Sequence, residues 1–249
     1  MSKVQHASGA YVKDSSEETV MKRSKVNAIM EEAVDFFQEN NFSLPPFAYW
    51  RPDDWAQKGL EVEQIVQNEL GWDITDYGLG DFYKNGLLLF TLRNGGLEHR
   101  TLRTYAEKVM IAEEDQIHQM HFHWRKVEDI INRAGGDLCI ELYNATQDET
   151  LDNNDVIVYV DGVRNVLPAG GVVRLKPGES ITLTSGMYHK FWAEGGRVLM
   201  GEVSTINDDK TDNCFYQPIG SGRFSEIEED VPPLYLLFSD YTHYWWPDG

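Results

Sequence analysis

Apolar residues recur at helical spacing near the start of the chain. Between about residues 22 and 40 they lie three or four positions apart and would form one face of a helix: Val26, Ile29, Met30, Ala33, Phe36 and Phe37. Ser24 is the predicted N-cap of this helix. A second helix is predicted over about 53–70, weakened at Gly59 and terminated at Gly71.

From residue 72 onward the pattern changes to short β-prone runs between turn signals. The predicted strands are Leu87–Leu92, Tyr105–Ile111, Met120–Trp124, Leu138–Asn144, Val156–Val160, Val172–Leu175, Ser180–Leu183, Tyr188–Ala193, Val198–Val203 and Leu234–Phe238. Gly-Gly, Asp-Gly and Pro-Gly pairs separate them. Many short strands with almost no helix after residue 70 predict a sandwich or barrel.

The same patterns predict the domain organisation. Residues 1–20 are polar and aperiodic, and we interpret them as a flexible extension. Residues 21–249 are expected to form a single domain, with helices over about 22–70 and a β-barrel over about 72–240. A chain of 249 residues can fill such a core. The expected fold is therefore mainly β with an N-terminal helical cap.

The composition restricts the classes of partner that the protein is expected to bind. The chain has 22 basic and 41 acidic residues and a formal net charge of −19, which disfavours nucleic acid and anionic membranes and leaves a neutral small molecule as the better fit. Cys139 and Cys214 lie far apart, outside any metal-type spacing, so no disulfide framework is expected. No apolar run reaches membrane-spanning length, and no signal-peptide core is present, so a cytoplasmic protein is expected.

The sharpest chemical signal is His121-Phe122-His123, followed by Glu128. Successive side chains of a strand alternate between faces, so the two histidines point the same way and can share one metal ion. Glu128 adds a carboxylate if a bend brings it back, and Gly135-Gly136 predicts a hairpin just downstream. His118 has the wrong parity for this face and is predicted to be a bystander.

A second run, from Gly178 through Gly186 to His189, would place another ligand on a neighbouring strand. A lone His-x-His is more often structural than metal-binding. The two runs together match both motifs of the cupin family, which implies a cupin β-barrel (jelly-roll) with His121, His123, Glu128 and His189 as metal ligands. Thr184 departs from the usual proline of that pattern, at a turn position that leaves the ligand set intact.

Longer stretches of the sequence are more specific than these two motifs. They are Leu44-Pro-Pro-Phe-Ala48, Leu70-Gly-Trp-Asp73, Leu89-Phe-Thr-Leu-Arg-Asn-Gly95, Tyr105-Ala-Glu-Lys108, Met120-His-Phe-His-Trp-Arg-Lys126, Glu128-Asp-Ile-Ile-Asn-Arg133, Phe191-Trp-Ala-Glu194, Gly201-Glu-Val-Ser204 and Asn207-Asp-Asp209. In this order they resemble the bacterial D-lyxose isomerase family, from about Met21 nearly to the C-terminus.

The resemblance implies reversible conversion of D-lyxose to D-xylulose, and of D-mannose to D-fructose. It implies Mn²⁺ as the metal, with Fe²⁺, Co²⁺, Ni²⁺ or Zn²⁺ as alternatives that the same ligands accept. It also implies a homodimer with a small-molecule sugar substrate, and a pocket role for Lys108.

Aldose–ketose isomerisation by way of an enediol requires a base that moves a proton between C1 and C2. Glu202 is the predicted base, because it falls on the strand Val198–Val203 and can face the barrel interior. Lys108 is assigned to a sugar oxygen, and Arg125 and Asp209 to sugar hydroxyls; Asp212 is a weaker candidate. A metal-assisted hydride shift would use the same ligands without requiring the base.

Two other functions use the same pattern. A non-haem iron cupin dioxygenase can have the same three-histidine, one-glutamate set, although nothing beyond the ligands favours it. A non-catalytic sugar-sensing or storage cupin commonly lacks an intact metal-ligand set, and a regulator would usually carry a DNA-binding helix pair with basic residues. The N-terminal helices here are acidic overall after Lys25, which argues against a regulator.

Overall fold

The computed structural model describes residues 20–96, 103–217 and 226–246. Its strands are β1 (Met21–Lys22), β2 (Gly71–Thr75), β3 (Leu87–Arg93), β4 (Tyr105–Ala112), β5 (His118–Phe122), β6 (Glu128–Asn144), β7 (Val156–Val160), β8 (Val163–Leu167), β9 (Gly171–Leu175), β10 (Ser180–Leu183), β11 (Met187–Thr205), β12 (Cys214–Phe215) and β13 (Ile227–Glu228). Its α-helices are α1 (Arg23–Glu39), α2 (Pro52–Trp55), α3 (Glu63–Gln67) and α4 (Tyr241–Tyr244). The mainly β class with N-terminal helices is confirmed. The predicted extension 1–20 lies, except for Val20, outside the described residues, and the single domain stays a prediction.

Two long strands, β6 and β11, run through both layers of the sheet. The first part of β6 pairs with β10 and its later part with β9. Similarly, β11 pairs with β5 near His189 and with β4 over residues 198–205. One layer has the order β2-β3-β4-β11-β6-β10-β7-β8, and the other contains β9, β6, β11, β5 and β12. Because β6 and β11 belong to both, the layers join as a jelly-roll barrel.

The long strands bend at glycines. Gly135 has a φ of +96°, and a Cβ there would lie 2.0 Å from the carbonyl oxygen of Arg197. A Cβ on Gly136 would lie 2.5 Å from the carbonyl oxygen of Glu194. Only glycine fits so close a backbone approach. The predicted hairpin at this pair is therefore wrong, because the glycines bend one 17-residue strand instead of ending it.

The central strands are buried on both faces. Leu87 and Leu89 of β3 pack in the cluster between the layers, whereas Leu88 and Phe90 pack against α1. This arrangement explains an apolar run without alternation. The predicted apolar stripe of α1 covers this outer face, and its buried members are Val26, Ile29, Met30, Ala33, Phe36 and Phe37. Burial of each large side chain contributes about 1.5–3 kcal/mol.

Two details of the helical cap differ from prediction. The helix predicted over 53–70 is broken near Gly59 into α2 and α3, and Gly71, with a φ of +114°, begins β2. Ser24 is not the N-cap of α1; its amide and hydroxyl both donate to Asp230, which supplies an acceptor at the start of the helix from a distant segment. No helix of the described residues has the length and apolarity to span a membrane.

The predicted strand Leu234–Phe238 is also wrong. Leu237 forms one isolated bridge with Trp72, and the chain then turns into a 3-10 helix. Asp240, at the end of that helix, accepts a 3.0 Å hydrogen bond from Arg23, which is 1% exposed at the start of α1. This buried ion pair holds the C-terminal segment against the helical cap.

Candidate metal centre and active site

A pocket lies between the two layers of the barrel. Its apolar lining consists of Leu87, Leu89, Met110, Ile130, Phe191 and Phe215. Its polar lining includes His118, Asn213 and eight further residues: His121, His123, His189, Lys108, Lys126, Glu128, Glu202 and Asp209. Seven of these eight are buried, and all are drawn from β4, β5, β6, β11 or the loops beside them.

Three histidines meet in this pocket as the strand parity predicts. His121 and His123 point to the same side, and His189 of β11 lies opposite His121 of β5 in the sheet register. One nitrogen from each ring lies within 4.8 Å of the others. The three rings are 2–6% exposed. Three converging imidazole nitrogens can hold a first-row divalent metal ion.

Backbone carbonyls orient all three rings. Nδ1 of His121 donates to the carbonyl of Gln119 at 2.8 Å, and Nδ1 of His189 to that of Met187 at 3.0 Å. Nδ1 of His123 donates to the carbonyl of Asp212 at 2.8 Å. Because a carbonyl can only accept, the proton sits on Nδ1 and leaves the lone pair of each neutral ring on Nε2. Metal-ligating histidines are commonly held in this way.

Burial keeps the rings of His121 and His189 neutral. It lowers the pKa of His189 to about 4, against the opposing charge of Glu128. Burial also lowers the pKa of His121 well below its usual value, with a further contribution from the neighbouring histidines. Both rings are therefore uncharged at neutral pH, the form in which an imidazole binds a metal.

Glu128 points one of its two oxygens at two of the three histidines. Its Oε1 lies 3.4 Å from Nε2 of His123 and 3.2 Å from Nε2 of His189. Neighbouring ligand atoms around an ion at about 2.1 Å are about 3.0 Å apart in octahedral and about 3.4 Å apart in tetrahedral geometry. The two distances from Glu128 therefore match those between ligands of one divalent cation. Burial raises the pKa of Glu128, but the charge of Lys126 outweighs it and holds the pKa of this carboxyl well below its usual range.

His118 corrects the parity argument. His189 pairs with His121, whereas Phe191, two residues further on, pairs with His118, three residues away. The extra residue is a β-bulge, which returns His118 to the inner face. There it lines the pocket, 8% exposed, with its ring centroid 4.6 Å from that of His121 and a hydrogen bond to the hydroxyl of Tyr77. Strand β5 begins at His118, two residues before the predicted start at Met120.

Glu202 and Lys108 both face the pocket. They are paired across β11 and β4 in the sheet register and are 4% and 3% exposed. Lys108 donates to Oδ1 of Asn207 at 2.7 Å and to Asp209 at 3.1 Å, and its Nζ lies 3.9 Å from Oε1 of Glu202. The predicted candidates Glu202, Lys108 and Asp209 thus share one wall of the pocket.

Arg125 lies elsewhere. Its side chain is 61% exposed, and its guanidinium binds Asp208, Asp212 and Thr211 on the loop after β11. The geometry therefore favours the loop-organising role over a sugar contact. Asp212 is the centre of that loop, because its carboxylate accepts the amides of Arg125 and Lys126 at 3.0 and 2.9 Å. Through its carbonyl the same residue orients His123.

The sequence reasoning assigned no role to Lys126. This residue is 3% exposed, and its Nζ lies 2.6 Å from Oε2 of Glu128 and 3.0 Å from Oε1 of Glu202. Burial would lower the pKa of Lys126, but Glu128, Glu202 and Asp209 outweigh it and raise the pKa. Lys126 lies in the loop between β5 and β6, where strand alternation gives no signal for the direction of a side chain.

Neutral buried histidines make the metal-free protein sensitive to acid. A histidine whose pKa is near 6.5 in the unfolded chain and about 4 in the folded protein binds its proton more strongly in the unfolded state. The free energy of unfolding therefore falls as the pH drops from about 6.5 to about 4. Between pH 7 and pH 5 we expect His189 to account for about 2 kcal/mol. Urea unfolding of chelated protein at the two pH values measures it, with His189→Asn as the comparison. Equal pH dependence in the parent and the variant would contradict this assignment.

Comparisons with known proteins show the family of the chain. A family model described as D-lyxose isomerase matches residues 21–241. The D-lyxose/D-mannose isomerase of Serratia proteamaculans is 48% identical over 228 residues, covering 90% of this chain and 99% of that protein. The D-lyxose/D-mannose isomerase of Escherichia coli O157:H7 is 46% identical over 228 residues, covering 90% and 100%.

Solved structures agree with the fold. The L-ribose isomerase of Acinetobacter sp. DL28, in complex with L-ribose, aligns with a TM-score of 0.58 and 15% identity, covering 86% of this chain and all of that one. The L-ribose isomerase of Cellulomonas parahominis with L-ribose aligns with a TM-score of 0.56 and 15% identity, covering 85% and 100%. At such identities the likeness shows the fold alone. It confirms the predicted cupin barrel.

Proposed function

Because the chain belongs to the D-lyxose isomerase family and is a sugar isomerase, we propose that it interconverts D-lyxose with D-xylulose and D-mannose with D-fructose in a metal-dependent reaction. The observation that supports this most directly is the meeting of His121, His123, His189 and Glu128 with Glu202 in one buried pocket. A homodimer and a cytoplasmic location stay predictions.

The three histidines and Glu128 would hold the metal ion, for which we propose Mn²⁺, with Fe²⁺, Co²⁺, Ni²⁺ and Zn²⁺ as ions to compare. When bound, the ion would act as a Lewis acid that stabilises negative charge on a sugar oxygen. One oxygen of Glu128 faces the histidines and the other faces Lys126, so Glu128 would bind through Oε1.

Glu202 is the proposed base. Its carboxylate would take the proton from C2 of the aldose and return it to C1, while a proton moves from the C2 hydroxyl to O1, so that no atom is gained or lost. Oε1 of Glu202 accepts from Lys126. Among the described residues Oε2 has no hydrogen-bond partner, which makes it the oxygen that can take the proton.

Lys108 is proposed to bind the sugar. An ammonium has three donors, and Asn207 and Asp209 occupy two of those of Lys108. The third would reach a sugar oxygen and stabilise the charge that develops on it. Asp209 would act mainly by holding Lys108, and Arg125 by holding the loop that carries Asp209.

A substrate and metal screen tests the proposal. Chelated protein would be assayed with D-lyxose, D-mannose, D-xylose, D-ribose and L-ribose, each with Mn²⁺, Fe²⁺, Co²⁺, Ni²⁺ or Zn²⁺ added. We expect the highest kcat/KM for D-lyxose, then D-mannose, with Mn²⁺ as the best metal. Oxygen consumption with Fe²⁺ and no isomerisation of any sugar would instead support a dioxygenase. Sugar binding without turnover under every condition would support a non-catalytic cupin.

A further inference from the structure

We propose that Lys126 is a positioning residue that ties the metal-binding carboxylate to the catalytic base, so that one ammonium sets the orientation of both. This inference rests on the proposed function of the pocket and assigns a role to a residue whose ammonium is engaged by protein acceptors. It concerns the geometry between Glu128 and Glu202, on two different strands.

The contacts of Lys126 account for all its donors. Nζ lies 2.6 Å from Oε2 of Glu128, 3.0 Å from Oε1 of Glu202 and 3.4 Å from Oδ1 of Asn207. An ammonium has three N–H groups, and three acceptors match them. No donor is left for a substrate. Lys108 differs, because it hydrogen-bonds Asn207 and Asp209 and its distance of 3.9 Å from Glu202 exceeds hydrogen-bond reach.

Lys126 also solves an electrostatic problem. Glu128 and Glu202 are 3% and 4% exposed and both lie within 3.0 Å of the same Nζ. Two carboxylates so close together in a poorly solvated pocket repel each other, and each loses its hydration. A shared cation offsets both costs. It also occupies Oε2 of Glu128, which leaves Oε1 to face the histidines.

The backbone of Lys126 and its third acceptor are themselves fixed. Its amide donates to Asp212 at 2.9 Å. Asn94 donates to the carbonyl of Asn207 and accepts from its amide, both at 3.0 Å. Asn207 in turn accepts from both lysines. The ammonium is therefore held before substrate arrives, as a positioning residue requires.

Lys126→Met tests the proposal, because methionine keeps the apolar stem and removes the ammonium. We expect the Kd of metal-stripped protein for Mn²⁺ to rise by about 10- to 100-fold, as for other groups that orient a metal ligand. At saturating Mn²⁺ we expect kcat for D-lyxose to fall by about 10- to 100-fold and KM to change little. Lys126→Arg keeps the charge and should retain Mn²⁺ affinity better than kcat, since a planar fork cannot reproduce three tetrahedral contacts.

Two comparison variants separate this role from others. Lys108→Met should raise KM and lower kcat while leaving the Mn²⁺ Kd unchanged. Lys176→Met, at an exposed turn, should leave all three constants unchanged. A Lys126→Met protein with the parent's Mn²⁺ Kd, or one that raises KM alone as a substrate contact would, overturns the inference. If Lys126→Met does not fold by circular dichroism, Lys126→Arg decides: parental values of both Kd and kcat overturn it.

The Mn²⁺ Kd is measured without any sugar. If the parent isomerises none of the sugars, the proposed function fails. The effect of Lys126 on Mn²⁺ affinity still supports or overturns the tie to Glu128.

Discussion

Glu202→Gln is expected to lower kcat for D-lyxose by about 10²- to 10⁴-fold, the range that a positioned general base contributes. Glutamine keeps the shape of the side chain and can still accept from Lys126 through its oxygen, so the fold and the metal content should persist. What it loses is the ability to take a proton. Steady-state kinetics of the Mn²⁺-loaded variant, with metal content measured on the same sample, check this expectation.

Glu194→Gln is the matched control for that variant. Glu194 lies on the same strand, β11, but its carboxylate is outside the pocket, where it binds Arg174 and accepts from Trp192. This change should leave turnover at the parent level. Turnover in heavy water adds a second test, since proton transfer through Glu202 places solvent deuterium on the sugar carbon. A hydride shift would instead move the hydrogen of the substrate from one carbon to the other without exchange with solvent. It would also leave the Glu202→Gln variant near the parental rate.

The convergence of His121, His123 and His189 was predictable in part because some of its geometry is local. Strand alternation places His121 and His123 on one face from their spacing alone, and the cupin spacing adds Glu128 and His189. The outer cap was predictable for a similar reason, since the apolar stripe of α1 matches a helix that packs on a sheet.

The features that sequence reasoning missed depend on contacts between distant segments. A bulge in β5 moved His118 to the inner face, and no local pattern marks where the extra residue lies. The pair Gly135-Gly136 was interpreted as a turn. Glycines occur both in turns and at bends within a strand, and the local sequence does not distinguish the two. The burial of Lys126 follows from carboxylates on β6 and β11, which meet only after the barrel forms.

The metal and the base depend on each other in this architecture. Glu128 is hydrogen-bonded to Lys126, Lys126 to Glu202, and Glu202 pairs in register with Lys108. The site therefore has a continuous polar wall in which each ammonium offsets the charge of the carboxylates beside it. Loss of one metal ligand should consequently affect turnover through the wall as well as through the ion.

His189→Ala is expected to abolish more than 99% of activity and to weaken Mn²⁺ binding by at least about 100-fold, the upper range seen when only an orienting neighbour is lost. The side chain is 2% exposed and its Nε2 lies 3.2 Å from Oε1 of Glu128, so its removal leaves a gap in the donor set. Chelation of the parent should give the same loss of activity, reversed by added Mn²⁺.

Metal content after dialysis and the Mn²⁺-dependent rise in Tm measure binding without turnover, since an ion at 100 times its Kd adds about 2.7 kcal/mol to the free energy of unfolding. His243→Ala, in the short helix α4 at the end of the described chain, serves as the control and should match the parent in both. Unchanged metal occupancy in dialysed His189→Ala would remove this histidine from the ligand set, and full activity after complete chelation would remove the metal from the reaction.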